Sequence, residues 1–136
     1  MTDPDLIVKK LALIETCVRE LRALARPAEI ASDKVQERFV EHTLQIAIQC
    51  ALDVASHIVS DERMGEPRTN RELVDFLERN SWIPVDLAKV LRQMVGFRNI
   101  LVHGYQAVDL AIVSDVVEHR LDDLLRFVQV IRSRMR

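Results

Sequence analysis

The sequence has few residues that interrupt helices and few that favour strands. Among its 136 residues there are 3 glycines and 4 prolines, and aromatic residues make up only 4%. Since aromatic residues are enriched in strands, and glycine and proline break helices, this composition favours an all-α protein over an all-β one. Hydrophobic residues make up 49% and charged residues 29%, which excludes a disordered chain. The length suits a single domain, residues 1–136, with one core.

The sequence also lacks the signals of secretion, membrane insertion and a cysteine-based metal site. No apolar run approaches the ~18 residues that a membrane span needs. The first five residues include two aspartates and no basic residue, unlike a signal peptide. Cys17 and Cys50 form no CxxC pair, so we expect two free, buried thiols and a cytoplasmic protein. The net charge of −2 gives no overall basic field, so any contact with nucleic acid must be local.

Apolar residues recur at intervals of three and four along most of the chain, which is the spacing of a buried helix face. Thr69 and Glu72 have the spacing of a capping box, which marks the start of a short helix. The predicted helices run from about 3 to 25, 33 to 59, 69 to 80, 84 into the segment around 98–105, and 109 to 132. This order predicts an antiparallel bundle of four to five helices. Adjacent apolar pairs, Val116–Val117 and Leu124–Leu125, widen the buried faces and favour a homodimer.

The segment RNILVHGY, residues 98–105, concentrates the polar side chains that can carry chemistry. Arg98 offers a fork of donors that matches phosphate, and His103 can move a proton near neutral pH. Asn99 lies four residues before His103 and shares its helix face. No carboxylate cluster accompanies them, which argues against a two-metal site. The set therefore suits RNA cleavage, in which the 2′-hydroxyl of the substrate is the nucleophile and no metal or other cofactor is needed.

The spacing within this segment creates a geometric difficulty. Arg98 and His103 are five residues apart, which places them about 140° apart around an ideal helix. One histidine per chain is also a poor candidate for both base and acid. We therefore expect the helix to break or bend between Asn99 and Gly104, and a second chain to complete the site. Asp53 and His57 are four apart on the second helix. They either assist His103, or they are an ordinary surface pair or a buried histidine with its hydrogen bonds satisfied.

The segment resembles the Arg-x4-His motif of HEPN-domain proteins, and more closely the Arg-Asn-x-x-Val-His-x-Tyr signature of HepT-like toxins. The likeness extends from about residue 33 to 131 and includes HTLQIAIQCALDVASHIVS and VDLAIVSDVVEHRLDDLLRFVQVI. The resemblance implies a HEPN-like helical homodimer that is a metal-independent ribonuclease toxin with RNA as the substrate. It does not fix which RNA is cut, and tRNA is one candidate. It also implies an MntA-like nucleotidyltransferase antitoxin as the partner.

The resemblance further assigns roles to four residues of the motif. Arg98 would stabilise phosphate charge, His103 would transfer protons, and Asn99 would orient His103 or the phosphate. Tyr105 would be the acceptor of AMP groups from the antitoxin, a modification that silences the nuclease. The alternative is a non-catalytic helical module that docks a nucleotidyltransferase or a nucleotide, in which Arg98 and His103 hold phosphate without cleaving anything.

Overall fold

The structure, a computed structural model, describes residues 4–103 and 108–135. The described residues form six α-helices and one 3-10 turn and contain no strand, so the prediction of an all-α fold is confirmed. The helices are α1 (Pro4–Leu24), α2 (Lys34–Asp61), α3 (Asn70–Arg79), α4 (Val85–His103), α5 (Leu110–His119) and α6 (Leu121–Arg134), and the turn is Pro27–Glu29. No helix within these ranges is both long and apolar enough to span a lipid bilayer.

The helices begin at the capping residues that the sequence indicates. The Asp33 carboxylate accepts hydrogen bonds from the backbone N–H groups of Val35 at 2.9 Å and Gln36 at 3.4 Å, which starts α2. The Thr69 hydroxyl accepts from the backbone N–H of Glu72 at 3.2 Å. The backbone N–H of Arg68 donates to the Glu72 carboxylate at 2.8 Å. In an ordinary capping box this carboxylate would instead accept from the N–H of the capping residue, which here is Thr69.

The prediction of one closing helix over 109–132 is wrong, because the segment is divided at Arg120. This residue has φ −117° and ψ −1°, away from ordinary helical values. Both halves contact α2, but their other neighbours differ. Helix α5 contacts the 3-10 turn, where the Ser114 hydroxyl donates to the carbonyl of Pro27 at 3.3 Å, and α6 contacts α1. A straight helix could not follow both, so the described residues form six helices instead of four to five.

Helix α2 lies at the centre of the packing and contacts α1, α3, α4, α5 and α6. Its buried face includes three alanines, which allow neighbouring helices to approach closely. Phe39 and Ile46 lie at the edge of this face and are only half-buried. The fully or almost fully buried apolar residues of α2 are Val40, Leu44, Ala47, Ile48, Cys50, Ala51, Leu52, Val54, Ala55, Ile58 and Val59.

The two cysteines are free and buried, as predicted. Burial raises the pKa of the Cys17 thiol to about 11, and burial also raises the pKa of Cys50. Both thiols therefore stay protonated at neutral pH, which fits side chains that fill the core between α1 and α2.

Basic side chains near the C-terminus contact other parts of the bundle, one on a helix and one on the connection between α3 and α4. Arg132 donates two hydrogen bonds to the Glu15 carboxylate, at 2.8 and 2.6 Å, and so joins α6 to α1. Arg134 lies over the ring of Trp82, 5.0 Å from its centroid. The positive charges of Arg132 and Arg134 are thus used in contacts within the protein.

Candidate functional site

The last turns of α4 carry the polar residues of the motif on two different faces. Arg98 follows Leu91 by seven residues, two turns later, and so lies on the face that is buried further up the helix. This face is buried at Leu87, Leu91, Met94 and Val95, and again beyond Arg98 at Leu101. Arg98 is therefore half-buried, while Asn99 and His103 point outward and are exposed. The sequence places a cation where the stripe of α4 would otherwise continue with an apolar residue.

The Arg98 guanidinium is held by two amide oxygens. Nη2 donates to Oε1 of Gln49, on α2, at 2.7 Å, and Nη1 donates to Oδ1 of Asn99 at 3.3 Å. Both acceptors are neutral, and within the described part of the chain Arg98 forms no ion pair with a carboxylate. Its positive charge is thus held in place without being neutralised by these contacts.

The third nitrogen of this guanidinium has no partner among the described residues. Nε of Arg98 is buried and has no hydrogen-bond partner among the described residues. A buried donor without an acceptor costs about 1–3 kcal/mol, so native structures leave few of them. Among the described residues, Nε of Arg98 is thus a buried donor at the edge of the helix bundle that the contacts with Gln49 and Asn99 leave unpaired.

Gln49 belongs to a series of polar contacts that crosses α2. Its Nε2 donates to Oδ1 of Asp53 at 2.8 Å, and Nζ of Lys10, on α1, lies 3.0 Å from Oδ2 of the same carboxylate. The contacts therefore run from Lys10 through Asp53 and Gln49 to Arg98, joining three helices. Asp53 takes part in this series, and His57, although half-buried one turn further on, has no contact that links it to Arg98 or Asp53 within the described residues.

Helix α4 is uninterrupted through His103, so the predicted break is not found between Asn99 and His103. Arg98 and His103, the two residues that would share the chemistry, are therefore separated by about 140° around the axis of α4 and by about 7.5 Å along it. Asn99 lies next to Arg98 and one turn before His103, and it contacts the arginine. Gly104 and Tyr105 lie outside the described residues, so the predictions made for them are untested by the structure.

Exposed apolar side chains lie close to the motif in sequence. Ile100 is 45% exposed and Ile112, on α5, is 50% exposed. Ile100 stands between Asn99 and Leu101, directly beside the polar residues. Large apolar groups of this kind on an outer face supply area for contact with another chain.

Sequence reasoning missed Gln49, which makes the closest contact to Arg98. The signal that could have found it is its position on α2: Gln49 lies one turn before Asp53 and interrupts a long apolar pattern. Within the described residues no group of three or more histidine, cysteine, aspartate or glutamate side chains is placed to hold a metal ion.

Comparison with known proteins identifies the family of this fold and motif. The family described as "Ribonuclease HepT-like" matches residues 14–131. The chain belongs to the HepT-like ribonuclease family. It is 33% identical to the mRNA nuclease HepT of Shewanella oneidensis over 130 residues, which cover 95% of this chain and 98% of that protein. It is 29% identical to the tRNA nuclease HepT of Aphanizomenon flos-aquae, over 96% of this chain and 90% of that protein.

A solved structure of a HepT-like relative has the same fold. It is a tri-AMPylated HEPN toxin from Shewanella oneidensis in complex with its MNT antitoxin, with a TM-score of 0.88 and 33% sequence identity. The match covers 98% of this chain and 99% of that chain. The predictions of the family and of ribonuclease activity are therefore confirmed, and the family match includes α4 and the motif at its end.

Proposed function

We propose that this HepT-like ribonuclease is a toxin that cleaves RNA without a metal ion, in a cleft shared by two copies of the chain. Arg98, Asn99 and His103 are its catalytic residues. A nucleotidyltransferase antitoxin silences it by adding AMP to Tyr105. The supporting observation is the state of Arg98: a half-buried guanidinium held by the neutral amides of Gln49 and Asn99, with no carboxylate of the described residues paired to its charge.

The chemistry that these groups can perform is an internal transfer within RNA. The 2′-hydroxyl attacks the neighbouring phosphorus, the bond to the 5′-oxygen breaks, and the products are a 2′,3′-cyclic phosphate and a 5′-hydroxyl. A base takes the proton of the 2′-hydroxyl and an acid returns one to the leaving 5′-oxygen. The Arg98 guanidinium stabilises the additional negative charge on the phosphorane as it forms.

Two copies of the chain supply the base and the acid. Because α4 keeps Arg98 and His103 on different faces, one chain directs its cation and its imidazole in different directions. A two-fold axis near the end of α4 would bring His103 and the partner's His103 to the same cleft. Exposed Ile100 and Ile112 supply apolar area for that contact.

Cleavage is tested on total RNA, tRNA and an mRNA, because relatives are named for both mRNA and tRNA cleavage. We expect the purified protein to cut in excess EDTA and to leave cyclic phosphate ends. A single 2′-deoxy nucleotide at the mapped cut site should stop cleavage there. Loss of activity in EDTA that added Mg²⁺ restores, or normal cutting of the deoxy substrate, would contradict this chemistry. Tight binding of nucleotide or antitoxin with all RNA left intact would favour the non-catalytic binding module.

Silencing by the antitoxin is tested at Tyr105, which is the only tyrosine in the sequence. The relative from Shewanella oneidensis carries AMP groups in its complex with the antitoxin, which supports the same modification here. Incubation with the cognate nucleotidyltransferase and ATP should add AMP mass to the wild type and stop cleavage. Tyr105→Phe, which removes only the phenolic oxygen, should stay unmodified and active. An equal mass gain on the Phe variant would place the modification elsewhere.

A further inference from the structure

The polar contacts behind Arg98 have a fixed direction. Arginine can only donate hydrogen bonds and an ionised aspartate can only accept them, whereas the glutamine amide does both. Between Arg98 and Asp53, Gln49 therefore turns its oxygen towards the guanidinium and its nitrogen towards the carboxylate. Both observed distances, 2.7 and 2.8 Å, are those of well-formed hydrogen bonds.

Lys10 compensates the charge of Asp53. Its ammonium lies 3.0 Å from Oδ2, and both side chains are about one-third exposed. The hydrogen bond to Asp53 and its negative charge raise the pKa of Lys10, so the ammonium stays charged at any ordinary assay pH. Lys10, on α1, therefore balances the negative charge of Asp53. Arg98, on α4, contacts only the neutral amide of Gln49 in this group of residues.

We propose that Gln49 is a positioning residue for Arg98: Asp53, neutralised by Lys10, clamps the Gln49 amide, which holds the guanidinium at the cleft without cancelling its charge. The proposal rests on the function assigned to Arg98 above. A carboxylate in place of Gln49 would also hold the arginine, but it would form an ion pair and compete with RNA phosphate. A glutamine gives orientation and leaves the cation available for the phosphorane.

The test compares two substitutions of Gln49 that are similar in size, one to a neutral apolar side chain and one to a negatively charged side chain. Gln49→Met keeps the length of the side chain and removes both hydrogen bonds. Gln49→Glu replaces the amide with a carboxylate that pairs with Arg98. The proteins are assayed for kcat, KM and Tm, and the active fraction is counted by titration with a non-cleavable 2′-deoxy RNA. Gln93→Met, an exposed glutamine of the same helix as Arg98, is the control.

We expect kcat to fall about 10- to 100-fold in Gln49→Met, because a misplaced catalytic group costs rates of this order. In Gln49→Glu, kcat should fall at least as far, because the new carboxylate pairs with Arg98. Its Tm should fall as well, since that carboxylate faces Asp53 where the Gln49 amide donated a hydrogen bond. KM should change less than kcat, and Gln93→Met should behave as wild type. Lys10→Met should lower kcat in the same direction by a smaller factor, since Asp53 would then keep an unmatched charge.

A purely structural role for Gln49 predicts a different order, in which the loss of kcat follows the loss of Tm. Near-normal kcat in both Gln49 variants, beside an inactive Arg98→Ala, would overturn the positioning role and leave the proposed nuclease function intact. Normal cleavage by Arg98→Ala itself would overturn the proposed function. If Gln49→Met does not fold, Gln49→Glu decides: a folded variant with wild-type kcat contradicts the proposal.

Discussion

The His103→Ala variant should cut RNA at least ~100-fold more slowly than the wild type and should no longer be toxic when expressed, since general acid–base catalysis contributes 10²- to 10⁴-fold. His103 is the last residue of α4 and is exposed. Its side chain forms no hydrogen bond or ion pair with another described side chain. Its removal should therefore change the free energy of unfolding by less than about 0.5 kcal/mol. Measured cleavage rates, thermal melts and light scattering separate the loss of chemistry from any loss of folding or assembly.

His119 offers a closely matched control for this experiment. It is also an exposed histidine at the C-terminal end of a helix, α5, and lies outside the motif. His119→Ala should cleave RNA at the wild-type rate and remain toxic. If His103→Ala kept wild-type activity, or if both variants lost activity equally, His103 could not be the proton-transfer residue.

The Arg98→Ala variant should lose about 10²- to 10³-fold in kcat, the size of effect seen when one group that stabilises a developing oxyanion is removed. Arg98→Lys keeps the charge but cannot reach Gln49 and Asn99 together with a planar fork, so it should restore only a small part of the rate. Binding of a 2′-deoxy RNA should weaken less than kcat falls, because the guanidinium acts most strongly on the charge that develops during the reaction.

Arg126→Ala is the control for the arginine series. Arg126 is a half-buried arginine on α6 that donates two hydrogen bonds to Asp86, at 2.7 and 3.1 Å, far from the motif. Because this ion pair is exposed to solvent, its loss should change the stability little and leave kcat unchanged. Wild-type kcat in Arg98→Ala would exclude the guanidinium from catalysis, whatever the behaviour of Arg126→Ala.

The helical fold was predictable because the sequence carries its own boundaries. Apolar residues recur at helical spacing, and Asp33 and Thr69 mark helix starts that the structure confirms through their capping hydrogen bonds. The division at Arg120 was not predictable, since no glycine or proline marks it and the apolar period continues across it. Tertiary packing of α5 on the 3-10 turn and of α6 on α1 decides that break.

The candidate site was only partly predictable for a similar reason. Arg98 and His103 stand out because the motif is compact in sequence. Gln49 is 49 residues from Arg98, and only the packing of α2 against α4 brings the two together. Periodicity shows that each of these helices has a buried face, but it does not show which polar residues at the edges of those faces meet. A side chain of ordinary type, such as one glutamine among several, carries no signal until the neighbouring helix is placed.

The small buried area of α5 has a consequence for the order in which parts of the protein open. Of its ten residues only Val113 and Val117 are buried, whereas thirteen residues of α2 are. Helices with so few core contacts open by local unfolding at a lower free energy than the rest of the fold. The element that follows the motif can therefore unfold while α2 and the arginine anchored to it stay in place. Proteolysis or a binding partner could thus reach this side of the motif without global denaturation.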